Sequence, residues 1–406
     1  MQSNANGEVD NVQRGRLGAL LEVLRVSAKL GLTAFGGPIA HLGYFHDEYV
    51  RRRKWMDERS YADLVALCQL LPGPASSQVG IGIGVSRAGL LGGVAAWLGF
   101  TLPSALALFA FAYVVQGYDV GHSGWVHGLK LVAVAIVAHA VLGMGQKLAP
   151  DRGRATLAIL AAVVALTWQT AYSQVLVIAA AGIVGWRLYR PDAAEGAPEL
   201  RIPVSRSFAI VCLVLFFVLL AGLPLLRGLG DARWLAMFDS FYRSGAMVFG
   251  GGHVVLPLLE REVVPTGWVS QADFAAGYGA AQAVPGPLFT FASYLGAMAD
   301  GVKGAAIAAA GIFLPAFLLV VGALPFWNGL RRSPRVQGVL AGINAAVVGI
   351  LLAALYDPLW TTAVAKPADF ALAALLFLLL AFWKLPPWAV VLAGAAGGML
   401  LGWMPA

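Results

Sequence analysis

The stretch LCQLLPGPASSQVGIGIG, Leu67 to Gly84, decides how this chain is read. Its surroundings are apolar, yet Pro72-Gly73-Pro74 must interrupt any helix that runs through it. Proline lacks a backbone donor and its ring clashes with the preceding turn. Ser76, Ser77 and Gln78 follow the break at once. Broken, polar backbone in an apolar setting is tolerated only where protein covers it or where it lines a wet cavity.

The rest of the 406 residues supply that setting: 59% are hydrophobic and only 12% charged, with a mean hydropathy of +0.75. Apolar runs such as Leu90–Val115, Phe208–Leu226, Gly304–Phe326 and Val336–Leu355 approach the roughly 20 residues that span a bilayer. A transmembrane β-barrel would show alternation instead. The expected fold is an all-α polytopic membrane protein. The formal charge of +7 sits largely in short loops, where Lys and Arg orient helices, so no nucleic-acid partner is expected. Cys68 and Cys212 lie in apolar runs and read as small hydrophobes. No Cys/His spacing points to a metal or thiol redox centre. The polar residues 1–16 read as a short cytoplasmic tail rather than a signal peptide.

The interrupted motif occurs twice. QLLPGP at Gln69 is echoed by QAVPGP at Gln282, and AFGGPIAH around Phe35 by VFGGGHVV around Phe249. Trp55 matches Trp268, and the offset stays near 210–214 throughout. The chain therefore divides into a first repeat (17–190), a polar linker with one extra span (191–227) and a second repeat (228–406). Loop charge orients them. Arg51–Lys54 and Lys147–Arg154 are basic in the first repeat, whereas the intervening 117–124 carries no Lys or Arg. In the second repeat the basic loop is Arg331–Arg335, the counterpart of that neutral one. Equivalent loops then face opposite sides, which makes this an inverted-topology duplicated bundle. Arg227 and Arg233 are the exceptions. The scheme requires the FGG and PGP segments to enter and leave on one side, as re-entrant or broken helices. Paired interruptions of this kind mark the substrate site of many transporters.

Pro74 suits the first position of a new helix. The unpaired amides of the following turn, with Ser76, Ser77 and Gln78, then form a natural anion seat. The second copy offers Pro287-Leu288-Phe289-Thr290, with one hydroxyl. Gly36, Gly37, Gly250 and Gly251 of the FGG turns, and Pro72 and Gly73, allow backbone to approach a ligand closely. Gln69 and Gln282 either satisfy freed backbone or touch substrate. Lys29 and Arg243 each lie six residues before the FGG phenylalanine. Intramembrane basic residues are functional candidates, so these two are expected to complete a site for a tetrahedral dianion. His41, Glu48, His253 and Glu262 are candidates for proton coupling; ordinary packing or loop-facing roles are the plainer alternatives. The glycines of Gly80–Gly84 read as close helix contacts. No phosphate loop of the form GxxxxGK(S/T) is present, and no clustered nucleophile or metal set argues for an enzyme, so no cofactor is expected.

At these residues the chain resembles the chromate ion transporter family in its long, two-domain form. LGLTAFGGPIAHLGYFHDEYVRRRKWMDERSYADLVALCQLLPGPASSQV and FGGGHVVLPLLEREVV with QAVPGP carry the resemblance. It implies export of chromate across the bacterial inner membrane, resistance to chromate, competition by sulfate, and antiparallel homologous halves; the loop charges place the N-terminus on the cytoplasmic side. Transport of sulfate or another oxyanion, and an anion channel, are the alternatives. The sequence does not fix the oligomeric state, a homodimer included. PGPLFTF in place of PGPASSQ implies that the first repeat lies more directly on the anion.

Overall fold

The computed structural model describes residues 2–35, 37–117, 124–168, 173–189, 204–230, 232–249, 252–327 and 333–403. Gly36, Gly250, Gly251, most of the 117–124 loop, the linker 190–203 and Arg331 lie outside the described residues. Among the described residues there is no strand, and five helices are long and apolar enough to cross a membrane. The chain is a multi-pass helical membrane protein.

The first repeat opens with two hairpins. Helix α1 (Gln2–Thr33) includes the polar N-terminal stretch and runs to the FGG turn; α2 (Gly37–Phe45) and a π-helical turn (His46–Arg52) come back from it. Helix α3 (Glu58–Leu70) then leads to the PGP break, and α4 (Ala75–Gly117) starts back from it. One carboxylate gathers the feet of both hairpins. Arg53 donates to Glu22 Oε1 at 2.8 Å, and Arg87 donates to Glu22 Oε2 at 3.1 Å. Both broken segments therefore start and finish at one face, as the loop charges predict.

Helix α4 then turns back sharply at Ala88 (φ −139°) and Gly89 (φ +69°). The two limbs touch through glycine: a Cβ on Gly84 would lie 2.3 Å from the Gly92 carbonyl oxygen. Likewise a Cβ on Gly82 would come within 2.7 Å of Leu64. The Gly80–Gly84 run thus serves close helix packing.

After α5 (Gly124–Leu148), α6 (Arg152–Thr167), α7 (Ser173–Leu188) and the unpaired α8 (Arg206–Arg227), the pattern recurs. Helix α9 (Arg233–Ala246) runs to the second FGG turn, and α10 (Val255–Val263) returns from it. Helix α11 (Gln271–Ala281) leads to the second PGP break, and α12 (Phe291–Ala323) leaves it. Helix α12 kinks at Asp300 and Gly301 (φ +56°), and Gly296 meets Gly304 there as Gly84 meets Gly92. The foot is also reproduced: Arg233 donates to the Ala299 carbonyl at 2.6 Å.

The last helices are α13 (Pro334–Ala354), α14 (Pro367–Ala381) and α15 (Pro387–Trp403). They are exchanged between the repeats. α6 and α7 of the first repeat pack on α13 of the second, while α14 and α15 pack on α5 of the first. Small residues let these backbones close up. A Cβ on Gly185 would sit 2.3 Å from the Gly338 carbonyl, and one on Gly398 would sit 2.2 Å from the Gly124 carbonyl. Those two contacts are repeat equivalents. The exchange ties the halves together and holds their broken hairpins against one another.

Candidate anion site

The two breaks meet crosswise. The Gly73 amide of the first PGP donates to the Val248 carbonyl, beside the second FGG turn, at 2.6 Å. The Gly286 amide of the second PGP donates to the Ala34 carbonyl, beside the first FGG turn, at 2.9 Å. Each repeat's PGP loop is thus anchored on the residue just before the other repeat's FGG motif. Both glycines need left-handed backbone, with φ +119° at Gly73 and +93° at Gly286. Both face the same position of the opposite repeat: Gly73 approaches Ala316, and Gly286 approaches Ser104.

A methyl group is expected to disturb this crossing. On Gly286 it would lie 2.9 Å from Ser104 Oγ and 3.2 Å from the Phe100 carbonyl. Left-handed backbone costs a residue with a Cβ about 1–2 kcal/mol before any crowding. Gly73→Ala and Gly286→Ala should therefore each cost about 2 kcal/mol. Thermal melting of the purified variants checks this; wild-type melting in both would show that the loops do not cross as described.

At the first tip the helix start is polar and enclosed. Ser76, Ser77 and Gln78 are 2%, 2% and 0% exposed. The helical ladder begins with the Gln78 amide on the Pro74 carbonyl, at 3.0 Å. The amides of residues 75–77 thus have no acceptor within the helix, and the positive end of the helix dipole lies there. Gln78 Nε2 holds the Pro72 carbonyl at 2.9 Å, leaving its Oε1 without a partner. The Ser77 hydroxyl is also buried without a partner. Ser76 Oγ lies 3.3 Å from His41 Nδ1, so α2 reaches the tip as well. Unsatisfied polar groups in so enclosed a position are costly, and a bound water, a ligand or a change of shape would satisfy them.

The second tip is largely self-satisfied. It starts as a 3₁₀ turn, Leu288–Thr290, in which the Thr290 amide (3.0 Å) and hydroxyl (2.7 Å) both bond the Pro287 carbonyl. Gln282 Nε2 and Ser293 Oγ are the groups left without partners beside it. Gln69, the counterpart of Gln282, is exposed. Sequence reasoning did not single out Ser104 or Ser293. Ser104 is the fifth residue of the apolar FTLPSA segment, and its position opposite Gly286 appears only once the crossing is known.

The structure places the two candidate cations at the hairpin limbs, against the candidate carboxylates. Lys29 reaches Glu48 at 3.4 Å and is half exposed. Arg243 makes paired contacts with Glu262 (2.6 and 2.9 Å) and with Asp239 (both 2.9 Å). Arg227, an exception to the charge rule, also reaches Asp239 at 3.4 Å. Burial alone would raise the Glu48 carboxyl. Hydrogen bonding from Arg53 and the charges of Lys29 and Arg52 outweigh it and hold the group below its ordinary range. Glu48 therefore stays ionised at neutral pH. His253 is held by the Tyr278 hydroxyl, away from the first tip. Of the four proton-coupling candidates, His41 is the one in contact with the first tip. Among the described residues no His, Cys, Asp or Glu cluster could hold a metal ion.

The sequence profile described as "Chromate transporter" matches residues 21–186 and 235–399, one stretch in each half. A protein named chromate transport protein from Pseudomonas aeruginosa is 30% identical over 93% of this chain and 90% of its own length. One of the same name from Cupriavidus metallidurans is 28% identical over 93% and 92%. An uncharacterized transporter of Methanocaldococcus jannaschii is 26% identical over 93% and 92%. No solved structure matches.

Proposed function

The chain belongs to the chromate transporter family, and from that premise we propose that it carries chromate out of the cytoplasm across the bacterial inner membrane, so conferring resistance. The observation that carries this reading is the first tip: a buried helix start with free amides, where the Ser77 hydroxyl lacks a partner. Chromate is a tetrahedral dianion whose oxygens accept from such donors. Sulfate has the same shape and charge and is expected to compete. In this reading the N-terminus and the Arg51–Lys54 face are cytoplasmic.

Alternating exposure is supported by a difference between the two repeats. Helix α11 is buried over Phe274–Ala281, and a Cβ on Gly279 would lie 2.3 Å from the Leu129 carbonyl of α5. Its counterpart α3 exposes Ala66 and Gln69 and makes no comparable contact with α13 among the described residues. One motif thus occurs in a closed and an open setting within one chain. Exchanging those settings between the repeats would move access from one side to the other. A channel would need no such exchange, and its flux would not saturate.

The membrane potential suffices as the drive. One charge crossing gains about 2.3 kcal/mol per 100 mV. A dianion leaving an interior-negative cell gains about 4.6 kcal/mol, a concentration ratio on the order of a thousandfold. In vesicles with potential and pH gradient clamped separately, chromate flux is expected to follow the potential at zero pH gradient and to saturate. Flux that persists at zero potential and requires the pH gradient would overturn this and point to His41 as the proton carrier.

A further inference from the structure

Both hairpins of the first repeat end in a cleft that the tip chemistry does not use. It measures about 540 Å³ and is lined by Glu22, Arg52, Arg53, Lys54, Trp55 and Arg87. The Arg53 and Arg87 guanidinium groups lie 5.4 and 5.5 Å from the centre of the Trp55 ring. Two oxygens of one carboxylate, Glu22, join them. Glu48 takes the Nε of Arg53 at 2.8 Å and Nη1 of Arg52 at 3.2 Å. Four cations against two carboxylates leave a net charge of about +2.

Two features separate this cleft from an ordinary basic loop. The first is backbone strain. Lys54 has φ +53°, a left-handed conformation that a residue with a Cβ adopts at a cost. Its repeat counterpart, Gly267, meets the same turn at φ +72° with the residue that suits it. The first repeat thus keeps a lysine where the second uses glycine, and this lysine lines the cleft. The second feature is sidedness. The counterparts of Glu22, Arg52, Arg53 and Arg87 are Ala236, Pro265, Thr266 and Ala299. The second repeat reproduces the turn and Trp268 but none of the cations.

We propose that this cleft is a capture site for tetrahedral dianions, placed where cargo first meets the protein on the Arg51–Lys54 face. The Glu22 carboxylate marks the seat: an incoming oxyanion takes over its bonds to Arg53 and Arg87, and Lys54 adds a third cation. The site is wet and shallow, so it holds its ligand weakly and concentrates it beside the hairpins that lead to the tips. This inference rests on the transport reading above, and it adds a direction: loading is assisted from one face only.

The test is sulfate flux into and out of proteoliposomes, with sulfate presented on either face in turn. Lys54→Gly relieves the strain, so it should fold at least as well as the wild type. Lys54→Gly and Arg87→Gln should each raise the half-saturating sulfate concentration about threefold, and together about tenfold, when sulfate meets the cleft's face. Presentation from the other face should show a much smaller change. Arg51→Gln, in the same basic run but paired with Asp47 outside the cleft, is the control and should match wild type. Equal half-saturation in wild type and double variant on the cleft's face overturns the proposal, provided the wild type transports. A wild type that moves no oxyanion overturns the transport reading instead. Vesicles with and without phosphatidylglycerol separate the two sources of such an anion. A wild-type-to-variant difference that vanishes without anionic lipid assigns the cleft to a lipid headgroup and overturns the capture role.

Discussion

Arg243→Gln is expected to destabilise the folded protein by about 3 kcal/mol, whereas Lys29→Gln at the equivalent position should cost less than about 1 kcal/mol. The two residues share a place in the repeat but not an environment. Arg243 is 17% exposed and binds two carboxylates, of which Asp239 is 1% exposed and Glu262 14%. Removing the guanidinium strands both charges where water reaches them poorly, and the loss of one partner from a buried pair costs several kcal/mol. Arg227, at 3.4 Å from Asp239 and 3.9 Å from Glu262, limits the damage, as does the Ser240 hydroxyl on Glu262. Lys29 is 53% exposed, and Glu48 keeps Arg52 and Arg53 when it is lost. Thermal melting of both purified variants in detergent checks the contrast. Equal melting shifts would show that the two clusters are energetically alike.

The same pair shows what was legible in the sequence. The duplication, the broken hairpins and their shared face all followed from motif spacing and loop charge. The spacing also held a clue to the ion pairs. Lys29 and Glu48 are nineteen residues apart, and so are Arg243 and Glu262. A cation and a carboxylate kept at one separation in both repeats fit two limbs of one hairpin, and the structure joins them there. The crosswise anchoring of PGP on FGG was not legible. Repeats that match motif for motif allow pairing within a half or between halves equally well, and only packing chooses. The exchange of α6 and α7 with α14 and α15 is hidden for the same reason, since glycines at equal spacing fit either partner. Thr290 illustrates a third gap. It aligns with Ser77, but the tighter 3₁₀ start turns its hydroxyl onto Pro287. Residue type and register agree while the local helix geometry decides which oxygen is free.

That difference in free oxygens leads to the largest expected effect on transport. Ser77→Asp should reduce chromate flux below detection, and Ser77→Ala should raise the half-saturating concentration about tenfold. The serine hydroxyl is buried without a partner in the first turn of α4. A hydrogen bond to a charged ligand is worth about 1.5–3 kcal/mol, so its loss falls on affinity. Stability should hold or rise slightly in Ser77→Ala, because an unsatisfied buried group has been removed. Aspartate acts differently. A carboxylate in the first turn of a helix is favoured by the dipole and the free amides, so it occupies the anion's seat and repels what should replace it. Thr290→Val supplies the contrast. Its hydroxyl serves the Pro287 carbonyl, so stability should fall by about 1 kcal/mol while half-saturation stays close to wild type. Flux in proteoliposomes together with melting of each purified variant separates the cases. Ser77→Ala with wild-type half-saturation would remove the first tip from the anion's path. A shift in Thr290→Val instead would move the seat to the second repeat.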